Sequence, residues 1–201
     1  MIQQLISKLP EVGTTIFSKM SALANKHNAI NLSQGFPGFK VDPILTSLVT
    51  KYMNEGKNQY APMAGILELR VTLANYLKNS YGCDINPETE ITITAGATQA
   101  IYNTISAVIN EGDEVILFSP AYDCYVPAIE VHGGTPIFIP LRHPDYSIHW
   151  EMVKEKINPK TKLIMINSPH NPTGSLLRKQ DLLELENLVS GTDILILSDE
   201  V

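Results

Sequence analysis

At 201 residues with 44% hydrophobic side chains, the chain is long enough to bury a substantial core, and its net charge of -6 argues against a nucleic-acid partner. Two cysteines, Cys83 and Cys124, stand far apart outside any CxxC pair, which argues against a disulfide framework or a zinc site and favours a reducing, cytoplasmic setting. The start, Met1 to Pro10, lacks a leader pattern, and no apolar run is long enough to span a bilayer, so no membrane partner is expected.

Residues 1–40 show weak periodicity and end in the turn-rich Gly35-Phe36-Pro37-Gly38, the pattern of an arm rather than a core unit. A helix follows, with Asp42 as its cap and Pro43 in its first position. Ile44, Leu45, Leu48, Val49, Tyr52 and Met53 then recur at helical spacing as far as Asn54-Glu55-Gly56. A second helix over 66–78 aligns Ile66, Leu69, Leu73 and Leu77 on one face before Gly82.

Short apolar runs then alternate with helical patterns. Strands are predicted at 91–94, 115–118, 137–139, 163–166 and 194–197, and helices at 97–110, 121–132, 150–157 and 179–190. β-branched runs of this kind suit strands buried on both faces, and the alternation predicts an α/β fold with a mainly parallel sheet.

Ligands of open α/β sheets bind beyond the carboxyl ends of the strands, so the residues that follow each run are the ones to inspect. Gly96-Ala97-Thr98 opens a helix after a predicted strand, where free N–H groups can hold a phosphate, or where small residues simply pack closely. Asn167-Ser168-Pro169-His170-Asn171-Pro172-Thr173-Gly174 is more specific. Two X-Pro steps and a glycine fix the loop, and Asn171 offers an amide to a ligand oxygen or to its own turn. His170 within it either lines a pocket or faces solvent. His143 and His149 flank a turn and have no partner at metal-ligand spacing.

The loop N-x-P-x-N-P-[TS]-G, followed after one more helical pattern by a strand and Asp199-Glu200, resembles the class I/II aminotransferases. That resemblance implies a pyridoxal-phosphate fold type I architecture, a three-layer αβα large domain with a mainly parallel sheet, and pyridoxal 5'-phosphate as cofactor. It makes residues 1–40 an arm with part of the small domain, and 41–201 the first part of the large domain. Asn171 matches the asparagine on the cofactor's phenolic oxygen, and Asp199 the aspartate on its pyridine nitrogen. Tyr122, which read by itself is equally a core aromatic, matches the ring that stacks on the pyridine. Gly96, Ala97 and Thr98 match the phosphate turn. Tyr60 matches a tyrosine reaching the neighbouring subunit's phosphate, which implies a homodimer, and Gly35 lies in the segment near the substrate carboxylate.

Gln34-Gly35-Phe36-Pro37 together with Tyr122-Asp123-Cys124-Tyr125 is most similar to the kynurenine, glutamine and methionine aminotransferase branch. Transfer of an amino group from an aromatic or sulfur-containing amino acid to a 2-oxo acid is therefore expected. A C–S lyase of the same fold and a non-catalytic cofactor-binding fragment are the alternatives. The resemblance covers only the first half of a family member. The Schiff-base lysine and the substrate-carboxylate arginine are not in this sequence; Lys179 precedes the Asp199 strand and reads as a solvated helix-start lysine. Residues 1–201 by themselves are thus expected to be inactive, with the 91–94 run left without its strand neighbours.

Overall fold

The computed structural model describes residues 6–10, 12–35 and 37–200; Phe36 of the Gly35 turn and the first five residues of the chain start lie outside them. The chain divides into two compact units, Thr14–Thr94 and Ala95–Val201, the latter together with Met1–Gly13.

In the first unit, α1 (Ile16–Lys26) begins where the Thr15 side chain accepts from the Ser18 N–H. This capped helix interrupts the stretch whose periodicity predicted only an arm. Ile16, Met20 and Leu23 recur at helical spacing along it, yet none of its residues is buried. α2 (Pro43–Asn54) starts as expected, with the Asp42 carboxylate accepting from Ile44 N–H at 2.7 Å. α3 (Leu67–Tyr81) runs one turn further than predicted, to Gly82, whose φ of 72° supplies the left-handed cap. The Arg70 guanidinium is buried and donates to three carbonyl oxygens, those of Gly65, Pro87 and Glu88. One cation thereby ties the turn before α3 to the loop after it.

Ile91 to Thr94 does not form the predicted strand. Ile93 N–H donates to the Ala64 carbonyl at 3.0 Å, and among the described residues the segment belongs to no strand ladder. β-branched composition makes a segment suited to a sheet, but only a neighbouring strand makes it one.

In the second unit the elements are α4 (Ala97–Val108), β1 (Glu114–Ser119), α5 (Tyr125–Val131), β2 (Thr135–Pro140), α6 (Trp150–Lys156), β3 (Thr161–Ser168), α7 (Lys179–Val189) and β4 (Leu195–Glu200). The four strands are parallel in the order β2-β1-β3-β4. From β1 the chain steps outward to β2, then crosses back to the other side of β1 for β3. The carboxyl ends of β1 and β3 therefore flank a topological switch point.

Side-chain alternation splits the core by sheet face. Val115, Leu117, Leu163 and Met165 pack with Ile101, Ile105, Tyr125 and Ile129 of α4 and α5. Ile116, Phe118, Ile164 and Ile166 pack on the opposite face with Val153 of α6 and Leu185 of α7. Ile105, Ile116 and Ile164 are fully buried, each worth about 1.5–3 kcal/mol of transfer free energy. β4 is the edge of this sheet and keeps Leu195 and Ile196 exposed.

One helix boundary differs from expectation. α5 begins at Tyr125 rather than near 121, because Tyr122 to Tyr125 make a turn closed by Tyr125 N–H to the Tyr122 carbonyl. Pro127 then sits in the first helical turn, where its missing N–H costs nothing; in a helix started at 121 it would fall in the interior and break a bond.

Candidate functional site

Asn167 and Asp199 are register partners on the neighbouring strands β3 and β4. Both strands run past their apolar runs, β3 to Ser168 and β4 to Glu200, so these two polar residues sit inside the last rungs rather than in loops. By strand alternation Asp199 points the same way as Leu197, which packs against the α4–α5 side of the core.

That orientation meets Tyr125. Its hydroxyl donates to Asp199 Oδ2 at 2.5 Å, and its ring is only 4% exposed. Burial, then the hydrogen bond to Asp199 and that carboxylate's charge, push the Tyr125 phenol far above its usual range, so it stays a donor at neutral pH. The Tyr122 ring stands beside it in edge contact, centroids 5.9 Å apart. Burial first, then Asp123, Cys124 and Asp199, also raise the Tyr122 phenol.

Cys124 packs against the same side of the core. Burial and the charges of Asp123 and Asp199 push its thiol up to about 11, so it is protonated at neutral pH and no nucleophile. Thr98 lies in the first turn of α4, whose cap residue Gly96 has φ of 84° and no side chain to occupy the first-turn N–H groups. A Cβ there would meet no atom within 4 Å, so the helix start opens onto free space that an anion can enter.

The Asn171 loop is built from its own polar groups. His170 is buried at 8% exposure, its Nδ1 is 2.8 Å from Thr173 Oγ1, and its backbone N–H donates to the Ser175 carbonyl. The Pro120 backbone, near the ring, acts to raise its pKa. Burial outweighs that effect and pushes the imidazole below its ordinary value. Asn171 N–H donates to Asn167 Oδ1 at 2.6 Å, and among the described residues the Asn171 side chain makes no hydrogen bond. Its amide is therefore available to a ligand.

Gly96, Ala97, Thr98, Tyr122, Asn171 and Asp199 thus converge at one end of the second unit. Tyr60 and Gly35 belong to the first unit, where both are exposed. Sequence inspection missed Tyr125 and Asn167. Tyr125 lies three residues after Tyr122 within a segment expected to be continuous helix, and Asn167 reads as a strand end; only their partners reveal them.

Two cavities adjoin these loops. The larger, 540 Å³, is lined by residues including Phe118, Tyr146, Ile166 and Arg178, and touches neither Tyr122 nor Asp199. A groove of 350 Å³ passes Ala97, Ile101, Leu197 and Asp199. Of the six converging residues the groove touches Ala97 and Asp199, and the larger cavity touches none. Among the described residues, no group of three or more His, Cys, Asp or Glu could hold a metal ion, and no helix is long and apolar enough to cross a membrane.

A parallel α/β sheet that gathers an acid, an aromatic, a free amide and an open helix start beyond its strand ends defines a small-molecule site on a doubly wound scaffold. The chain belongs to the family Aminotransferase class I and II, which residues 27–201 match. It is 43% identical over 195 residues to the methionine aminotransferase of Escherichia coli strain K12, covering 97% of this chain and 50% of that protein. It is 35% identical over 205 residues to the human kynurenine--oxoglutarate transaminase 3, covering 96% and 45% respectively.

A crystal structure of an Escherichia coli protein with methionine aminotransferase function superposes with a TM-score of 0.95 at 42% identity, over 98% of this chain and 52% of that one. A single mutant of Thermus thermophilus aspartate aminotransferase gives 0.89 at 30% identity, over 100% and 54%. The fold is accordingly that of the pyridoxal-phosphate fold type I enzymes. The chain spans about half the length of the curated relatives it matches.

Proposed function

We propose that this chain forms the cofactor-holding part of a pyridoxal-phosphate aminotransferase acting on aromatic or sulfur-containing amino acids and a 2-oxo acid. The observation that carries this is the Asp199 carboxylate, held by the Tyr125 hydroxyl beside the Tyr122 ring. The donor set fits the cofactor group by group. The α4 start offers N–H groups and the positive end of a helix dipole to the phosphate. Asn171 offers an unused amide to the phenolic oxygen, Tyr122 offers a ring face, and Asp199 offers a carboxylate to a protonated pyridine nitrogen.

When bound, pyridoxal phosphate supplies an electron sink for charge left at the α-carbon of an amino acid. The protein's part in that chemistry is electrostatic. Asp199 keeps a proton on the ring nitrogen, and Tyr125 keeps the Asp199 carboxylate aimed by donating to it. His170 braces the Asn171 loop from within, and burial lowers its pKa.

The substrate class is supported by the methionine and kynurenine activities named for two relatives. We further assign Tyr60 to the phosphate of a neighbouring subunit, Gly35 to the substrate-carboxylate side, and the protein to a homodimer in a reducing compartment. Its free Cys83 and Cys124 suit that compartment.

The test is transfer by the full-length polypeptide loaded with pyridoxal phosphate. Amino-group transfer from methionine or kynurenine that depends on an added 2-oxo acid supports the proposal. Turnover independent of any oxo acid, releasing pyruvate and ammonia from a cysteine conjugate, would replace it with a lyase. Crosslinking and sedimentation of a Tyr60→Phe variant, with its cofactor affinity, test the subunit assignment.

A further inference from the structure

The side chain of Asn167 is 9% exposed, and both ends of its carboxamide are engaged. Oδ1 accepts from the backbone N–H of Asn171 at 2.6 Å, and Nδ2 donates to the backbone carbonyl of Asp199 at 2.8 Å. An asparagine has one acceptor oxygen and one donor nitrogen, so these two bonds orient the group uniquely. The partners belong to different elements: one lies in the loop after β3, the other on β4. They are also the two residues assigned above to the phenolic oxygen and the ring nitrogen of the same pyridine. A side-chain bond from β3 to the Asp199 backbone adds a constraint of its own beside the β3–β4 ladder.

We propose that Asn167 is a positioning residue, a bracket that sets the spacing between the Asn171 amide and the Asp199 carboxylate and so the fit of the cofactor ring between them. This role rests on the cofactor assignment above. No smaller or apolar side chain reproduces it: alanine leaves the Asn171 N–H and the Asp199 carbonyl unpaired. Aspartate keeps the acceptor for Asn171 and loses the donor to Asp199. Glutamine keeps both functions but lengthens the bracket by one methylene.

The experiment uses the full-length protein with Asn167→Ala, Asn167→Asp and Asn167→Gln, and the same alanine change in an Asn171→Ala background. Three quantities are read: the dissociation constant of pyridoxal 5'-phosphate, the pH midpoint of the bound cofactor's absorption band, and the melting temperature without cofactor. Asn167→Ala should weaken cofactor binding about tenfold, the equivalent of one hydrogen bond of ordinary strength. It should also move the absorption midpoint, which a loss of folding stability alone would not do. Asn167→Gln should retain the melting temperature better than alanine yet still displace the midpoint. In the Asn171→Ala background the alanine change should cost less than in the parent, because one of its two clients is already gone.

A folded Asn167→Ala protein with the parent's affinity and midpoint overturns the role, as does full additivity with Asn171→Ala. Loss of folding in all three Asn167 variants also overturns it, by making the residue a support of the fold. A parent protein that binds no pyridoxal phosphate refutes the cofactor assignment instead, a result distinct from any of these.

Discussion

Replacing Tyr125 by phenylalanine removes one oxygen from the centre of the site and leaves the ring in the core. The lost contact is a short O–H donation to the Asp199 carboxylate at 2.5 Å. Hydrogen bonds to charged groups contribute about 1.5–3 kcal/mol. Asp199 is only half-buried and water can replace the phenol, so the lower part of that range, about 1–2 kcal/mol, is expected.

The pH dependence sharpens the test. The phenol of Tyr125 is raised above its ordinary value of 10.0 by burial first and by Asp199 second. The folded state therefore holds the proton more tightly than the unfolded chain. Its contribution is fully present below pH 10.0 and is lost as pH rises beyond that value toward the higher folded one. Urea unfolding at pH 7 and at several values above 9 should show the variant less stable at neutrality but with a shallower alkaline decline. Cys124, raised from 9.0 to about 11, adds to the same decline, so a Cys124→Ser background isolates the tyrosine. A variant with the parent's stability at pH 7 and the parent's alkaline slope would show that the Tyr125–Asp199 bond carries no energy.

Other outcomes follow from individual contacts. Burial lowers the His170 imidazole below 6.5, so its contribution is complete above pH 6.5 and fades as pH falls through the folded value; a His170→Gln variant should lose less stability between pH 7 and 5 than the parent in thermal melts. Arg70→Met should destabilise the unit holding α2 and α3 by about 1–3 kcal/mol, because three carbonyls lose a buried donor. Protease cleavage within residues 82–94 should then rise, and an unchanged cleavage rate would count against that tie. Gly134→Ala would set a Cβ 2.7 Å from Ile109 Cγ2 and 2.9 Å from Ile129 Cγ2, at a cost of about 1–3 kcal/mol in chemical unfolding. A neutral effect there would mean the core between α4 and α5 yields more easily than its burial suggests.

Much of the fold is written in local signals. Asp42 and Pro43 start α2 because a carboxylate accepts from an N–H two residues on, and a proline suits the first turn. The apolar runs at 115–118 and 163–166 are strands because residues that alternate between two covered faces must all be apolar. The Asn171 loop and the Asp199 strand are legible from local signals too: prolines and glycine fix a turn, and acids that follow an apolar run are conspicuous. Local signals also mislead. Ile91 to Thr94 has strand composition and no strand partner, and Pro127 rather than periodicity decides where α5 starts.

The sequence by itself determined most of the kinds of element and their order, since each depends on neighbours within a turn or a rung, and its resemblance to a family singled out the candidate cofactor residues. Only the tertiary structure decided which of those residues act on one another. Tyr125 meets Asp199 across 74 positions, and Asn167 reaches Asp199 across 32. Such contacts are fixed by strand register and sheet face, and those are set when β4 docks beside β3 and α5 closes over the sheet.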